Sequence, residues 1–263
     1  MKALVTGASS GIGKALAQEF ARRGYSLVLV ARDKSRLDAT ATALRSVHGI
    51  ECEALSADLS SEAGLVAVEN RLRDTANPVE ILVNNAGIGL PPGGFLGNDL
   101  AVSQQLNELN IDVVMRLTHF FIPLAQSRGR GGILTISSIA GFFPGTPATT
   151  YSASKAWTTA FGEGLQTLLR GSGVTSTTVT PGFVRSEFHQ RSGVSTNGIP
   201  DWLWLTADQV ATEAIDGFES GKDLVVPGAI WKTYHFSTRF LPRAWNRKSF
   251  VLLMNQFSKK ASK

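Results

Sequence analysis

The chain has 263 residues, of which 43% are hydrophobic and 18% are charged, a composition typical of a folded globular protein with one large α/β domain or two small ones. A single cysteine, Cys52, excludes a disulfide framework and a cluster of thiolate ligands, and the four histidines show no ligand spacing, so we predict no metal site. The net charge of +5 is uneven, because residues 222–263 hold nine Lys or Arg and one acid, whereas residues 1–221 hold 17 and 20.

The sequence contains no apolar run of about 20 residues, the length that a membrane-spanning helix needs. A strand-like run begins at Lys2, where a signal peptide would need a different pattern. We therefore expect the protein in the cytoplasm.

Strand-like and helix-like segments alternate along the chain. Lys2–Thr6 is a short apolar run, and Gly11–Arg23 has apolar residues at helical spacing and is closed by Gly24. The same alternation predicts further strands at Ser26–Ala31, Glu51–Ala57, Glu80–Val83, Gly132–Ser137, Val174–Thr180 and Leu224–Val226. One predicted helix ends at His48, and another lies between the third and fourth strands. The remaining predicted helices cover Leu100–Gln126, Tyr151–Arg170 and Ala207–Glu219.

Apolar strands separated by helices predict a parallel sheet that is covered on both faces. Right-handed crossovers then give an α/β fold, a doubly wound Rossmann-type sheet of about seven strands. No linker or repeat divides the chain, so we predict a single domain. Its catalytic part is residues 1–228, and residues 229–263 form a C-terminal extension that is part of the same domain or peripheral to it.

A glycine-rich turn, Thr6-Gly7-Ala8-Ser9-Ser10-Gly11-Ile12-Gly13, follows the first strand and opens a helix. Glycines let the backbone turn tightly and approach a pyrophosphate, whose charge is favoured at the N-terminus of the helix. The alternative is an ordinary turn between a strand and a helix. The residues predicted to contact a dinucleotide here are Gly7, Ser9, Ser10, Gly11, Ile12 and Gly13.

The second strand ends at Ala31, where dinucleotide folds that prefer NAD commonly place an acid for the ribose 2′-hydroxyl. Arg32 follows, and a guanidinium suits a 2′-phosphate. The alternative is that Arg32 is a solvated charge at the start of a helix, since Asp33 comes next. We predict NADP, as NADPH, as the preferred cofactor, with NAD as the alternative.

Tyr151 and Lys155 lie four positions apart in a predicted helix, so their side chains project from one face. A phenol has an ordinary pKa of about 10. A nearby ammonium favours the phenolate and so lowers the pKa of the phenol, which lets the hydroxyl exchange protons with a substrate. Ordinary neighbours on a helix surface are the alternative for a pair of this kind taken alone.

Together with further motifs over about residues 2–227, these features resemble the short-chain dehydrogenase/reductase family, of the single-domain type with a Tyr-x-x-x-Lys active site. Ser138 stands 13 residues before Tyr151, as the family's catalytic serine does. Asn110 matches the asparagine of the long fourth helix. The other matching positions are Asp58, at the acid that bonds adenine; Asn84-Asn85-Ala86-Gly87, at the fourth-strand motif; and Pro181-Gly182 with Val184 and Ser186, at the nicotinamide segment, where the family more often has Thr in place of Ser186.

The resemblance implies that Tyr151 is the acid in reduction and the base in oxidation. It implies that Lys155 lowers the pKa of Tyr151 and bonds the nicotinamide ribose, that Ser138 donates to the carbonyl oxygen, and that Asn110 holds a water linking Lys155 to solvent. The structural alternatives are that Ser138 only ends a strand and Asn110 only bonds a helix backbone. The further cofactor contacts that the resemblance implies are Asp58, Asn84, Ala86, Gly87, Tyr151, Lys155, Pro181, Gly182, Val184 and Ser186.

A substrate lid is expected at about residues 183–205, opposite the loop Gly87–Gly97 and the segment Phe142–Pro147. The large apolar groups of the lid (Phe188, Trp202, Leu203, Trp204 and Leu205) suggest a hydrophobic ketone or aldehyde, unless they only pack the lid on the core. The predicted function is NADP-dependent reduction of such a carbonyl to an alcohol. The alternatives are an NAD-linked alcohol dehydrogenase working in the oxidative direction and a non-catalytic NADP-sensing binding protein.

The resemblance also implies a homodimer or homotetramer, paired through the helix of Tyr151 and the preceding long helix, with Trp157 and Phe161 in that contact or in the core. Beyond Gly228 aromatic and basic residues alternate, and Pro242 divides this tail into two helical pieces. We predict that the tail docks on the body of the protein or on a partner subunit. Peripheral contact with an anionic membrane is the alternative, and no reader motif predicts nucleic acid binding.

Overall fold

The computed structural model describes residues 1–143, 147–194, 196, 198–238, 240, 242, 244–245, 248 and 252. The strands are β1 (Lys2–Thr6), β2 (Ser26–Ala31), β3 (Cys52–Ser56), β4 (Ile81–Asn84), β5 (Gly131–Ile136), β6 (Val174–Val179), β7 (Phe183–Arg185), β8 (Trp204–Thr206) and β9 (Leu224–Val225). The α-helices are α1 (Gly11–Arg22), α2 (Lys34–His48), α3 (Glu62–Leu72), α4 (Leu100–Asn107), α5 (Val113–Ser127), α6 (Thr149–Leu168), α7 (Glu187–Arg191), α8 (Ala207–Glu219) and α9 (Ala229–Ser237).

Seven parallel strands form the main sheet in the order β3-β2-β1-β4-β5-β6-β9, which confirms the predicted doubly wound α/β fold. The order reverses between β1 and β4, because β2 and β3 lie on one side of β1 and all later strands lie on the other. In sheets of this kind ligands bind at the carboxyl ends of the strands on both sides of such a reversal.

Alternate residues of the central strands feed two hydrophobic cores, one on each face of the sheet. Ala3 and Val5 of β1 pack in the core that also contains residues of α1, α2 and α8, whereas Leu4 packs in the core that contains residues of α3, α5 and α6. All three side chains are fully buried. This burial of both faces explains why the strands are continuously apolar in sequence.

The predicted helix at Leu100–Gln126 is interrupted in the structure by a π-helical turn at Glu108–Asp112. Asn110, in this turn, accepts a hydrogen bond from the Ile88 amide at 2.9 Å and donates to the Ile88 carbonyl at 3.0 Å. A contact with a distant loop therefore accompanies the interruption, and helical periodicity alone cannot reveal it.

The lid has regular structure that the sequence did not predict: β7 and β8 pair in parallel as a separate two-stranded sheet, and α7 lies between them. Of the tail, α9 covers the first predicted helical piece, and most residues after 238 lie outside the described residues, including Arg239, Arg243 and Arg247. Pro144, in the wall predicted at Phe142–Pro147, also lies outside them. In the described part of the chain, none of the helices is both long and apolar enough to cross a membrane.

Candidate active site

A cavity of about 770 Å³ opens at the carboxyl ends of the parallel strands, a size within the usual range for small-molecule and cofactor sites. Most of the residues that the sequence predicted for the site line it. These are Gly7, Ser9, Ser10, Gly11, Ile12, Gly13, Arg32, Asp58, Ala86, Gly87, Ser138, Tyr151, Lys155, Pro181, Gly182, Val184 and Ser186. Asn84 and Asn110 are not among the described residues that line it.

The glycine-rich turn at one end of the cavity leaves no room for side chains. Gly7 and Gly11 have φ angles of +68° and +53°, a region that favours glycine. A Cβ on Gly13 would lie 2.3 Å from the Gly7 carbonyl oxygen. The backbone thus forms a cradle at the N-terminus of α1, which fits the pyrophosphate of a dinucleotide.

Asn85 fixes this turn and was not among the predicted site residues. Its side-chain Nδ2 donates to the Thr6 carbonyl at 2.8 Å, and its backbone amide donates to Thr6 Oγ1 at 2.9 Å. Thr6 Oγ1 also donates to the Val83 carbonyl at 3.0 Å. Asn84 points elsewhere, because it is buried and donates to Thr118 Oγ1 at 2.9 Å. A direct contact between the Asn84 side chain and a cofactor is therefore not supported.

At the end of β2, Arg32 is exposed, lines the cavity and makes no ion pair with any described residue. The neighbouring Asp33 is used by the fold, since its Oδ1 accepts hydrogen bonds from the Arg36 amide at 3.0 Å and the Ser35 hydroxyl at 2.8 Å and so caps α2. Asp58 accepts from the amide and hydroxyl of Ser60, and these bonds, with the charge of Arg32, hold the pKa of Asp58 below its usual value. The Arg32 guanidinium is thus available to bind an anion at this end of the cavity.

Ser138 and Tyr151 both line the other end of the cavity. Ser138 follows β5 and caps a 3-10 turn, its Oγ accepting from the Ala140 amide at 3.2 Å. Tyr151 lies in the first turn of α6, and its hydroxyl is close enough to that of Ser138 to affect its pKa. Lys155 is one helical turn further on, with its Nζ donating to the Ile136 carbonyl at 3.0 Å and lying 6.0 Å from the centre of the Tyr151 ring.

The electrostatics of this pair differ from the expectation. Burial raises the pKa of Tyr151 to about 12, because it disfavours the phenolate, and the nearby Ser138 hydroxyl opposes this only in part. Burial also lowers the pKa of Lys155 to about 8. No lowering of the Tyr151 pKa by Lys155 is found in the structure. Tyr151 is consequently protonated at neutral pH, the form of a proton donor.

The buried ammonium of Lys155 should make stability depend on pH. Its pKa is lowered from the ordinary 10.5 to about 8, so the unfolded chain binds the proton more tightly, and stability is lost as pH falls from about 10.5 to about 8. The shift corresponds to about 3 kcal/mol. We therefore expect Lys155→Met to gain stability relative to the unchanged protein at neutral pH, and to lose that gain towards pH 10.5.

Urea unfolding of both proteins across this pH range measures the difference, with Lys222→Met as the matched control at an exposed lysine. A stability difference that stays constant across the range would contradict the assignment of a lowered pKa to Lys155.

Asn110 joins three parts of the site without lining the cavity. Besides its two bonds with Ile88, its Nδ2 donates to Ser154 Oγ at 3.2 Å, and Ser154 Oγ donates to the Tyr151 carbonyl at 2.8 Å. A Cβ on Gly87 would lie 2.9 Å from Asn110 Oδ1. The Asn110 side chain thus holds the chain after β4 against α6, and it is almost fully buried.

The part of the cavity beyond Tyr151 is mostly apolar. Phe188 of α7 lies beside Tyr151, with its ring centre 5.7 Å from that of Tyr151. Ile88, Gly89 and Pro91 lie in the loop predicted as a wall, and His189 and Ser192 lie in the predicted lid. The lining residues that the sequence analysis missed are Val102, Gln105, Leu109 and Ile139. The spacing of Val102, Gln105 and Leu109, three and then four positions apart, was a signal that could have indicated one face of a helix.

The other aromatic and apolar groups of the lid mostly pack on the protein. Leu203 and Leu205 are buried in the core, whereas Trp202 is 62% exposed. The Trp204 ring lies 5.7 Å from that of Phe183. Of the five lid residues named from the sequence, only Phe188 lines the cavity, so the packing alternative applies to most of them.

A cluster of ion pairs joins α7 of the lid to α2. Glu187 accepts from Arg36 Nη1 at 3.0 Å and from Arg191 Nη2 at 2.6 Å. The hydrogen bond with Arg36, and to a smaller extent that with Arg191, lowers the pKa of Glu187 to about 2. The lid is therefore held over the glycine-rich turn, where a Cβ on Gly11 would lie 3.3 Å from the Ser186 Cβ.

Comparison with known proteins agrees with this geometry. A curated relative, the very-long-chain 3-oxoacyl-CoA reductase-A of Danio rerio, is 37% identical over 196 residues, which are 70% of this chain and 58% of the relative. In two further reductases of this name, the match covers 60% and 62% of the relative's length. The chain thus matches less than two thirds of the length of such relatives.

Solved structures of related proteins match most of the chain. A short-chain dehydrogenase from Sphingobium yanoikuyae in complex with NADPH is 38% identical, with a TM-score of 0.82, and the match covers 90% of this chain and 93% of that one. The bulky-bulky ketone specific alcohol dehydrogenase from Comamonas testosteroni is 32% identical, with a TM-score of 0.78, over 97% and 94%.

The sequence profile of one protein family, described as short chain dehydrogenase, matches residues 1–195. Together with the sheet order and the Ser138, Tyr151 and Lys155 arrangement, this match confirms the resemblance noted from the motifs: the chain belongs to the short-chain dehydrogenase/reductase family.

Proposed function

We propose that this protein is an NADPH-dependent reductase that converts a hydrophobic ketone or aldehyde to an alcohol. The observation that carries the proposal is a half-buried, protonated Tyr151 in the same cavity as Ser138, Lys155, a glycine cradle and an Arg32 without an ion-pair partner among the described residues. The cradle fits a dinucleotide, and the nicotinamide of that dinucleotide supplies the hydride. The protein itself supplies the proton and the positioning.

In this proposal Tyr151 donates its proton to the carbonyl oxygen as negative charge develops there. The Ser138 hydroxyl donates a hydrogen bond to the same oxygen and stabilises that charge. Lys155, one turn along α6 and close to Tyr151, is proposed to bond the cofactor's ribose and to favour return of the proton. Asn110 positions Ile88 and α6, and a role in holding a water near Lys155 stays a prediction.

NADP is the proposed cofactor, with NAD as the alternative. Arg32 faces the cavity without a partner among the described residues, and Asp33, the nearest acid, is engaged in capping α2. The related Sphingobium yanoikuyae enzyme, solved with NADPH, supports this choice. The proposed contacts of the cofactor are the predicted residues that line the cavity, with Asn84 replaced by Asn85.

The oxidative alternative needs Tyr151 as a base. Because burial raises the pKa of Tyr151 to about 12, the protonated form that reduction uses prevails at neutral pH, and the rate of oxidation should rise in alkaline solution. The second alternative, a binding protein without catalysis, does not need Ser138, Tyr151 and Lys155 together at one wall. Reduction is therefore the proposal that the geometry supports best.

A hydrophobic carbonyl compound is the proposed substrate class, because Ile88, Val102, Leu109 and Phe188 line the cavity beside Tyr151. One relative is named a very-long-chain 3-oxoacyl-CoA reductase and another a bulky-bulky ketone specific alcohol dehydrogenase. Both names support the same substrate class. The test is a panel of aliphatic, aromatic and 3-oxoacyl carbonyl compounds, with NADPH absorbance as the readout. Turnover of small charged aldehydes alone would contradict the proposal.

Phe188 should limit the size of the substrate. We expect Phe188→Ala to raise KM for a compact aromatic ketone by about tenfold, since loss of one apolar contact is worth roughly 1–3 kcal/mol. The same variant should accept ketones with a second large substituent better than the unchanged protein does. Trp202→Ala, an exposed aromatic group of the same lid, is the matched control. An unchanged size preference in Phe188→Ala would place the substrate elsewhere.

We also propose a homodimer or homotetramer paired through α5 and α6. The rings of Trp157 and Phe161 on α6 stack at 4.6 Å and are only half-buried, and Met115 on α5 is 45% exposed. Phe161 also packs against one of the cores, so the ring pair reaches from the core to the surface. A monomer in sedimentation equilibrium at micromolar concentration would rule out this pairing.

Cytoplasmic location stays part of the proposal on the grounds given by the sequence, and contact of the tail with an anionic membrane stays its alternative. Phe236, Phe240 and Trp245 are largely exposed, and the tail beyond Gly228 carries eight Lys or Arg residues and no acid. If the alternative holds, more of the full chain than of a chain ending at residue 238 will sediment with phosphatidylserine vesicles. Equal sedimentation of the two would exclude membrane contact through the tail.

A further inference from the structure

The helix α9, outside the segment matched by the family profile, packs directly on the segment that lines the active site. Trp231, its third residue, is only 2% exposed. The indole lies on the bare face of Gly182, because a Cβ on Gly182 would lie 2.1 Å from Trp231 Cε2 and 2.2 Å from Nε1. Gly182 lines the cavity, so the indole supports one of its walls from behind.

The same indole also holds the base of the lid. Trp231 Nε1 donates a hydrogen bond to the Leu203 carbonyl at 3.1 Å, and this bond is buried. The Phe183 ring, which lines the cavity, packs edge-on against Trp231 with ring centres 5.5 Å apart. Trp231 therefore contacts both ends of the lid, where it leaves the sheet and where it returns.

The next turn of α9 reaches the opposite side of the site. Tyr234 stacks on Phe143 with ring centres 4.4 Å apart, and His235 lies at the same distance from Phe142. Phe142 and Phe143 directly follow the 3-10 turn that Ser138 caps. One helix thus bridges the Ser138 segment and the Pro181–Gly182 segment.

The helix is anchored independently of these aromatic contacts. Gly228, with a φ of +81°, donates its amide to Glu213 at 3.1 Å, and Lys232 Nζ lies 2.8 Å from Glu213 Oε2. Both bonds join the start of α9 to α8. A substitution at Trp231 therefore removes the support of Gly182 without releasing the helix from the protein.

We propose that Trp231 is a positioning residue, which sets the depth of the Pro181–Gly182 wall in the cavity and thereby the placement of the nicotinamide relative to Tyr151. This inference rests on the proposed function and extends it to a residue beyond the matched segment. It also makes residues 229–237 part of the catalytic domain rather than a peripheral extension. Displacement of a reacting group by about 1 Å can cost about 100-fold in rate, so a small shift of this wall is expected to be measurable.

The test compares Trp231→Phe and Trp231→Leu with Trp245→Ala, a matched control at an exposed tryptophan of the same tail. We measure the Kd of NADPH by calorimetry, and amide hydrogen exchange at residues 182–185 before NADPH is added. We expect faster exchange at those amides and a Kd about tenfold higher in Trp231→Leu, with a smaller rise in Trp231→Phe because the ring is kept. Trp245→Ala should leave both unchanged.

A second pair of variants approaches the contact from the other side. Gly182→Ala should weaken NADPH binding, and the effect should be smaller in the Trp231→Leu background, because the shorter side chain makes room for the new Cβ. Additive effects, or folded Trp231 variants with unchanged exchange and unchanged Kd, would overturn the inference and leave Trp231 as a purely stabilising residue. An unchanged protein that does not bind NADPH would instead refute the proposed cofactor and with it the proposed function.

Discussion

Tyr151→Phe is expected to lower kcat for carbonyl reduction by about 10²–10⁴-fold, the usual contribution of a positioned general acid. The substitution removes only the hydroxyl, which lies near that of Ser138, and it keeps the ring that packs near Phe188. The Kd of NADPH should therefore change little. Steady-state kinetics with a substrate from the panel, combined with calorimetry of NADPH binding, measures both quantities.

The matched control is Tyr25→Phe. Tyr25 is another tyrosine with a raised pKa, caused by partial burial and by its hydrogen bond to Glu219, but it lies between α1 and β2, away from the cavity. Its loss should leave kcat unchanged. If Tyr151→Phe kept most of the activity, water or another group would have to supply the proton, and the role proposed for Tyr151 would be refuted.

The second large effect is expected at the cofactor's 2′-phosphate. Arg32→Asp should reduce kcat/KM with NADPH by about 100-fold, because a hydrogen bond to a charged group contributes about 1.5–3 kcal/mol and the new carboxylate also repels the phosphate. Activity with NADH should fall much less or rise, since an acid at this position can accept from a ribose 2′-hydroxyl. The ratio of the two kcat/KM values measures the change in preference.

Lys34→Asp provides the control for this experiment. It makes the same change of charge two positions along the chain, at an exposed lysine that pairs with Asp38 and does not line the cavity. The NADPH preference should survive in this variant. An unchanged preference in Arg32→Asp would show that another group recognises the phosphate, and the cofactor argument from Arg32 would fall.

Much of the fold was predictable because its determinants are local. The ends of β1, β2, α8 and the start of α1 agree with the predicted segments, since apolar runs there are bounded by glycine, proline or polar turns. The glycine turn and the Ser138, Tyr151 and Lys155 spacing were likewise visible, because each side chain follows directly from its position in a strand end or helix turn.

What the sequence could not reveal depends on contacts between distant segments. The π-helical turn coincides with the pairing of Asn110 with Ile88, 22 positions earlier in the chain. The lid strands β7 and β8 have three residues each and pair across a separate segment, so neither carries a recognisable period. The direction of the Tyr151 pKa also depends on burial, which a four-residue spacing does not specify.

The tail shows the same limit at the level of composition. Aromatic and basic residues suggested docking or a membrane surface, but they could not show that Trp231 and Phe236 have opposite environments. Trp231 is buried on Gly182, whereas Phe236 is largely exposed. The close approach of the Trp231 indole to the backbone of Gly182, which a side chain there would prevent, distinguishes them.

The central claim, reduction of a hydrophobic carbonyl with Tyr151 as the proton donor, is tested most directly by one assay. The unchanged protein and Tyr151→Phe are incubated with the carbonyl panel and NADPH that carries deuterium at both positions of C4, and the products are analysed by mass spectrometry. We predict an alcohol that carries one deuterium at the former carbonyl carbon with the unchanged protein, and almost none with Tyr151→Phe although it still binds NADPH. Equal deuterated alcohol from both proteins, or no alcohol from any compound with an unchanged protein that binds NADPH, would contradict the claim.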